Sequence, residues 1–145
     1  YLQRYIKDKD LLDLTQKYIY DDEEKVGIPI GNYTSQYFAN IYLNRFDHYI
    51  KEVLKIKYYI RYVDDFVLIL ENKEEAKRIK RELETYLDVN LHLKLNQKTN
   101  YYKIKQGVTF LGYKVFPNYV LIRSQRKKQM YRTIKKYNKL YEKNN

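Results

Sequence analysis

Tyr58-Tyr59-Ile60-Arg61-Tyr62-Val63-Asp64-Asp65-Phe66-Val67-Leu68-Ile69-Leu70 is the stretch on which the reading of this chain turns. Two β-prone runs flank a pair of aspartates, which is the pattern of a hairpin with apolar strands and an acidic turn. Asp is an ordinary turn residue. Two of them side by side, at a tip with no Gly or Asn to ease it, also suit a hard cation. Mg²⁺ takes one or two carboxylates and leaves its other positions to water and phosphate. Two such ions about 4 Å apart activate an attacking oxygen and stabilise a leaving one during phosphoryl transfer. A hairpin holds its carboxylates rigidly, as such a site requires. A solvated turn and a metal-bearing turn both remain open at this point.

Working outward from the hairpin, Phe38, Ile41, Tyr42, Phe46, Tyr49, Ile50 and Val53 keep one apolar face, predicting a long helix with Thr34 or Ser35 as its N-cap. Before it, Gly27-Ile28-Pro29-Ile30-Gly31-Asn32 reads as a loop or short strand, and residues 8–20 as a helix that Asp10 could cap. After the hairpin, Asn72 followed by Glu75 is a capping-box pattern, and Ala76, Ile79, Leu83, Tyr86 and Leu87 form the stripe of a second long helix. Leu91, Leu93 and Leu95 alternate with His92 and Lys94, predicting a half-buried strand. Residues 108–115 and 119–122 predict a second hairpin across Pro117-Asn118. From Ser124 onward, Met130, Ile134, Tyr137 and Tyr141 share one side of a final helix whose other sides are basic. The fold class is α+β.

At 145 residues with 44% apolar content, the chain is sized for one core. It has no cysteine, which excludes disulfides, thiolate metal sites and cysteine nucleophiles. The longest apolar run, Phe66 to Leu70, falls far short of the roughly 20 residues that span a bilayer. The first residues lack a signal-peptide core and an initiator Met, as expected of a piece of a longer chain. The net charge of +11 is unevenly placed: residues 1–90 carry 15 Lys and Arg against 17 Asp and Glu, residues 91–145 carry 14 against 1. So one-sided a block is the footprint of a surface lying along phosphates, or else a solvated lysine-rich face. His48 and His92 are separated from each other and are assigned to structure.

Tyr62-Val63-Asp64-Asp65 between two apolar strands resembles the Tyr-x-Asp-Asp box of reverse transcriptases. Gly27 to Gln36, continued by Ala39-Asn40-Ile41-Tyr42-Leu43-Asn44, is similar to the family's nucleotide-pocket motif. Downstream, Leu95-Asn96-Gln97-Lys98-Thr99 and Phe110-Leu111-Gly112-Tyr113 resemble its later palm motif and its primer-contacting hairpin. Any one of the four is weak; four in order are specific. The Ile-Gly-Asn-x-x-Ser-Gln form of the first box is most like the enzymes of diversity-generating retroelements, with group II intron and retron enzymes as close alternatives.

The resemblance implies a polymerase palm in residues 1–123, a split βαβ, ferredoxin-like or RRM-like sheet with helices on one face, and the start of a helical thumb in residues 124–145. It implies that Asp64 and Asp65 are catalytic and bind two Mg²⁺ ions in the complete enzyme. Ser35, Gln36, Tyr62, Val63 and Lys98 would contact the nucleotide, and Phe110, Leu111 and Gly112 would form the primer grip. The thumb helix would set Arg126, Lys127, Lys128, Arg132 and Lys135 along the nucleic-acid backbone. Expected partners are an RNA template, a DNA primer, dNTP and a small basic accessory protein, in the cytoplasm and without a membrane. One departure matters: nothing in residues 1–26 supplies the family's other metal-binding aspartate at the end of an apolar strand, and the preceding fingers region is missing. The expectation is a fragment of a polymerase that does not polymerise by itself. A non-catalytic nucleic-acid-binding module is the alternative, against which the paired like charges of Asp64-Asp65 speak.

Overall fold

A computed structural model describes residues 2–4, 6–19, 28 and 32–144. After a 3-10 turn at Leu2–Arg4 come α1 (Lys9–Ile19) and α2 (Tyr33–His48), which runs into a π-helical turn at Tyr49–Val53. Strands β1 (Tyr58–Tyr62) and β2 (Asp65–Ile69) come next, then α3 (Lys73–Leu91). A 3-10 turn at Ile104–Gln106 leads into β3 (Val108–Phe110), β4 (Tyr113–Val115) and β5 (Val120–Ile122), and α4 (Ser124–Asn144) closes the order.

The core lies where α2, the π-turn and α3 meet one face of the β1–β2 hairpin. Leu43, Phe46, Ile50, Ile56, Ile79, Leu83, Leu87 and Leu91 are its buried members, and Tyr59, Phe66 and Leu68 pack against them from the strands. The antiparallel register pairs Tyr59 with Leu68 and Arg61 with Phe66, so these four side chains share the inner face. Tyr58, Ile60, Tyr62, Asp65, Val67 and Ile69 take the outer one. Phe46 meets Phe66 edge-on with ring centroids 5.2 Å apart, and Tyr49 stacks on Tyr86 at 3.9 Å. Such ring pairs add to the burial of the rings themselves.

Several expectations are corrected at element boundaries. The N-cap of α2 is Asn32, with extended backbone, so Thr34 and Ser35 lie inside the first turn. Its core stripe runs through Leu43, Phe46 and Ile50, while Val53 is exposed because the wider π-turn carries it off that face. Asp8, not Asp10, caps α1: its Oδ1 accepts from the Leu11 N–H at 3.0 Å. The Asn72 cap stands, with Oδ1 accepting from the Glu75 N–H at 2.8 Å and Glu75 Oε2 reaching back to the Glu71 N–H at 2.9 Å.

The strand expected at 91–95 is absent. Helix α3 continues instead through Leu91, because Leu87 and Leu91 extend its buried stripe by a turn. The Tyr42 hydroxyl donates to the Leu91 carbonyl at 2.7 Å, and His92 ends the helix in the left-handed conformation at φ 50°. The single palm sheet is therefore not formed among the described residues: β1–β2 and β3–β4–β5 are separate antiparallel sheets. Residues 108–115, expected as one strand, are split into β3 and β4 by the turn at Leu111-Gly112, both residues having positive φ. Of the segment 27–31, only Ile28 lies within the described residues.

Candidate active site

Register places Tyr62 opposite Asp65, leaving Val63 and Asp64 as a two-residue loop. Val63 has φ 54°, the left-handed region. Two-residue hairpin loops commonly need positive φ at their first position, where Gly or Asn is usual. A branched residue there costs roughly 1–2 kcal/mol. Asp64 and Asp65 are both exposed. Neither carboxylate takes part in an ion pair or side-chain hydrogen bond among the described residues. Two hard oxygen donors are thus presented to solvent with their lone pairs free.

Beneath the turn lies a charged network on the inner face. The Arg61 guanidinium grips the Asp47 carboxylate of α2 at two points, Nε donating to Oδ1 at 2.8 Å and Nη2 to Oδ2. Its Nη1 donates to the Asn40 side-chain carbonyl at 2.8 Å and to the Val63 backbone carbonyl at 2.6 Å. The Tyr59 hydroxyl donates to Asp47 Oδ1 at 2.5 Å. Burial pushes the Asp47 carboxyl up, but the hydrogen bonds from Arg61 and Tyr59 and the nearby Arg61 and His48 charges outweigh it, holding it below its ordinary value. Burial, then the bond to Asp47, pushes the Tyr59 phenol well up. The bond to Asp47 raises Arg61 against the opposing effect of burial.

Sequence reasoning missed Asn40, Asp47, Tyr59 and Arg61 as site residues. The signal was available for one of them: Arg61 stands at an inward position between Tyr59 and the turn, and a buried guanidinium demands a carboxylate. Its partner on α2 is not legible from spacing alone. His48, assigned to structure, has Glu52 one turn on, Nδ1 to Oε1 at 2.6 Å.

A cleft of about 1160 Å³ opens along β2, lined by Asp65 to Lys73, by α3 and by residues 99–104 and 108–110. It brings Asp65 and Phe110 to one cavity. Lys98 does not line it; this exposed lysine sits in a turn where its N–H donates to Asn96 Oδ1 at 2.9 Å. Ser35 is half-buried and Gln36 exposed near the start of α2, and Tyr62 is exposed at the end of β1. Leu111 is exposed at the β3–β4 turn. The close approach that Gly112 allows is made by Arg126: a Cβ there would come within 2.6 Å of the Arg126 guanidinium carbon. Lys127 lies over the Tyr131 ring at 5.9 Å, and Lys128, Arg132 and Lys135 are exposed along α4. Among the described residues no cluster of three His, Asp or Glu side chains capable of holding a metal forms.

Residues 3–115 match the family model described as reverse transcriptase (RNA-dependent DNA polymerase). The chain belongs to the reverse transcriptase family. The mixed helix-and-strand fold fits a fragment of a reverse transcriptase palm. This reverse transcriptase chain is 30% identical over 122 residues to protein YkfC of Escherichia coli (strain K12), a match covering 61% of the chain and 32% of that protein. It is 25% identical over 179 residues to a Saccharomyces cerevisiae protein named for intron 2 of COX1/OXI3, covering 79% of the chain and 21% of that protein. The chain therefore spans about a third and a fifth of the lengths of these relatives. No described helix of the reverse transcriptase chain is long and apolar enough to cross a membrane.

Proposed function

We propose that this chain carries the carboxylate hairpin of an RNA-directed DNA polymerase that copies an RNA template into DNA. The observation that carries the reading is the exposed, unpaired Asp64-Asp65 pair, one carboxylate on the two-residue turn and the next at the start of β2, in a chain of the reverse transcriptase family. The reaction joins a primer 3′-oxygen to the α-phosphorus of a dNTP, breaking the bond to the β-phosphate and releasing pyrophosphate. Asp64 and Asp65 would hold Mg²⁺, whose chemistry when bound is charge stabilisation at the attacking and leaving oxygens. Two carboxylates meet what Mg²⁺ asks of a protein. The other aspartate of the family's site is supplied from outside these residues in this reading, so the 145-residue chain alone does not polymerise.

The remaining assignments rest on the resemblance. Ser35, Gln36, Tyr62 and Val63 face the nucleotide, Phe110, Leu111 and Gly112 hold the primer end, and residues 124–145 begin a thumb with Arg126, Lys127, Lys128, Arg132 and Lys135 on phosphates. Lys98 is kept as a pyrophosphate partner. The form of residues 30–36 supports a diversity-generating retroelement enzyme, with a dedicated template RNA and a small basic accessory protein as partners. The relative named for an intron supports a group II intron enzyme as the second reading.

The test is RNA-templated dNTP incorporation by the longest open reading frame that contains this chain. Activity is expected, with loss of at least a thousandfold on Asp64→Ala, in line with removal of a metal ligand from such a site. Full activity in that variant would end the assignment.

A further inference from the structure

Arg61 projects inward from β1, yet its guanidinium ends beneath the turn that carries Asp64. It is held by Asp47 and Asn40, both on α2, and its second Nη1 hydrogen goes to the Val63 carbonyl. The Arg61 side chain is 9% exposed, so this fork is fixed in place rather than wandering in solvent. Val63 needs such a restraint. It is β-branched, it lies at φ 54°, and the loop contains no Gly to take up that conformation cheaply. Asp64 and Asp65 offer no help, since neither carboxylate bonds back to the hairpin among the described residues.

We infer that Arg61 is a positioning residue: anchored on α2, it holds Val63 left-handed through its carbonyl and so sets the direction in which Asp64 presents its carboxylate to a divalent cation. The second half rests on the reading of Asp64 as a metal ligand; the first half does not. The role is specific to arginine. A planar fork reaches Asp47, Asn40 and the Val63 carbonyl together, whereas the single ammonium of lysine cannot span all three. Lysine at this position keeps the positive charge beside Asp47 and releases the turn.

The test uses the ¹⁵N-labelled 145-residue chain in solution, with Mn²⁺ as the probe ion. Backbone couplings report the φ of Val63, and paramagnetic broadening of the amides of residues 64–66 reports binding at the turn. In Arg61→Lys the ring-shifted signals of Phe46 and Phe66 are expected to persist while Val63 leaves the left-handed region. The Mn²⁺ concentration for half-broadening should then rise about fivefold, the equivalent of one lost hydrogen bond. Arg61→Lys/Val63→Gly should regain most of that affinity, because glycine takes positive φ without strain. A purely structural Arg61 would show no such rescue. Asp47→Asn, which leaves every side chain in place and weakens the anchor, should shift the Val63 couplings in the same direction and keeps the test open if the lysine variant unfolds. Val63 still left-handed in Arg61→Lys, or unshifted in Asp47→Asn, overturns the inference. Unchanged broadening in Asp64→Asn would instead remove the ligand role of Asp64, and the Val63 couplings would still decide on Arg61.

Discussion

Phe46 is 1% exposed and faces Phe66 from the helix side of the hairpin, so its ring joins α2 to the strand just after the carboxylate turn. Phe46→Ala should lose about 3–5 kcal/mol of stability, measured by urea unfolding, because the rigid neighbours close only part of the cavity. Asp47, on the same helix, adds a pH dependence. Its carboxyl is held below the ordinary 3.8 in the folded chain. The contribution of a depressed carboxylate is complete above the unfolded value and is lost as the pH falls through the folded one. Thermal unfolding monitored from neutral to acid should therefore steepen below about pH 4, and Asp47→Asn should flatten that limb while costing about 2 kcal/mol at pH 7. At Gly112, φ is 85° and the Arg126 guanidinium occupies the space of a side chain. Gly112→Ala should cost roughly 1–2 kcal/mol, for the left-handed alanine, with Arg126 displaced. A thermal shift near zero would show that the turn relaxes to accept it.

At the scale of elements, patterns made locally were legible in the residues and those that depend on distant partners were not. The hairpin at 58–70, the Asn72 cap and the helical stripe through Ile79, Leu83 and Leu87 are each local: alternation, a side chain bonding its own third neighbour, and one-turn spacing. Leu91, Leu93 and Leu95 alternate as a strand would, but helix and strand compete for such a short apolar run. Tyr42, 49 residues away, is among the contacts that favour the helix, through the Leu91 carbonyl. The acidic hairpin tip was legible as a turn, whereas its Asn40–Asp47–Arg61 support was not, since it joins a helix to a strand through the fold. Helix α4 yields a prediction of its own kind. It carries eight Lys and Arg between Ser124 and Asn145. If one side of it lies on a polyanion, about four of these meet phosphates, and truncation at residue 123 should reduce the slope of log affinity against log salt by roughly 3.6 for a primer–template duplex. An unchanged slope returns the helix to the role of a solvated face.

For the whole molecule, the uneven placement of its apolar contacts matters most. Among the described residues, every buried core residue belongs to the segment from Leu43 to Leu91, and the cleft along β2 separates that unit from much of the chain beyond Thr99. Within α4, Met130, Ile134, Tyr137, Leu140 and Tyr141 are 46–72% exposed, so an apolar stripe runs along a helix that buries none of it. Its near end is fastened at Gly112, whose carbonyl accepts from the Arg123 N–H at 3.1 Å and whose missing side chain seats Arg126. A helix held at one end opens without disturbing a core to which it contributes nothing. In heavy water, the amide protons of Ile50, Leu83 and Leu87 should thus persist until the whole chain unfolds. Those in the distal half of α4 should be replaced early, by fraying from Asn144 inward, at a rate that denaturant scarcely alters.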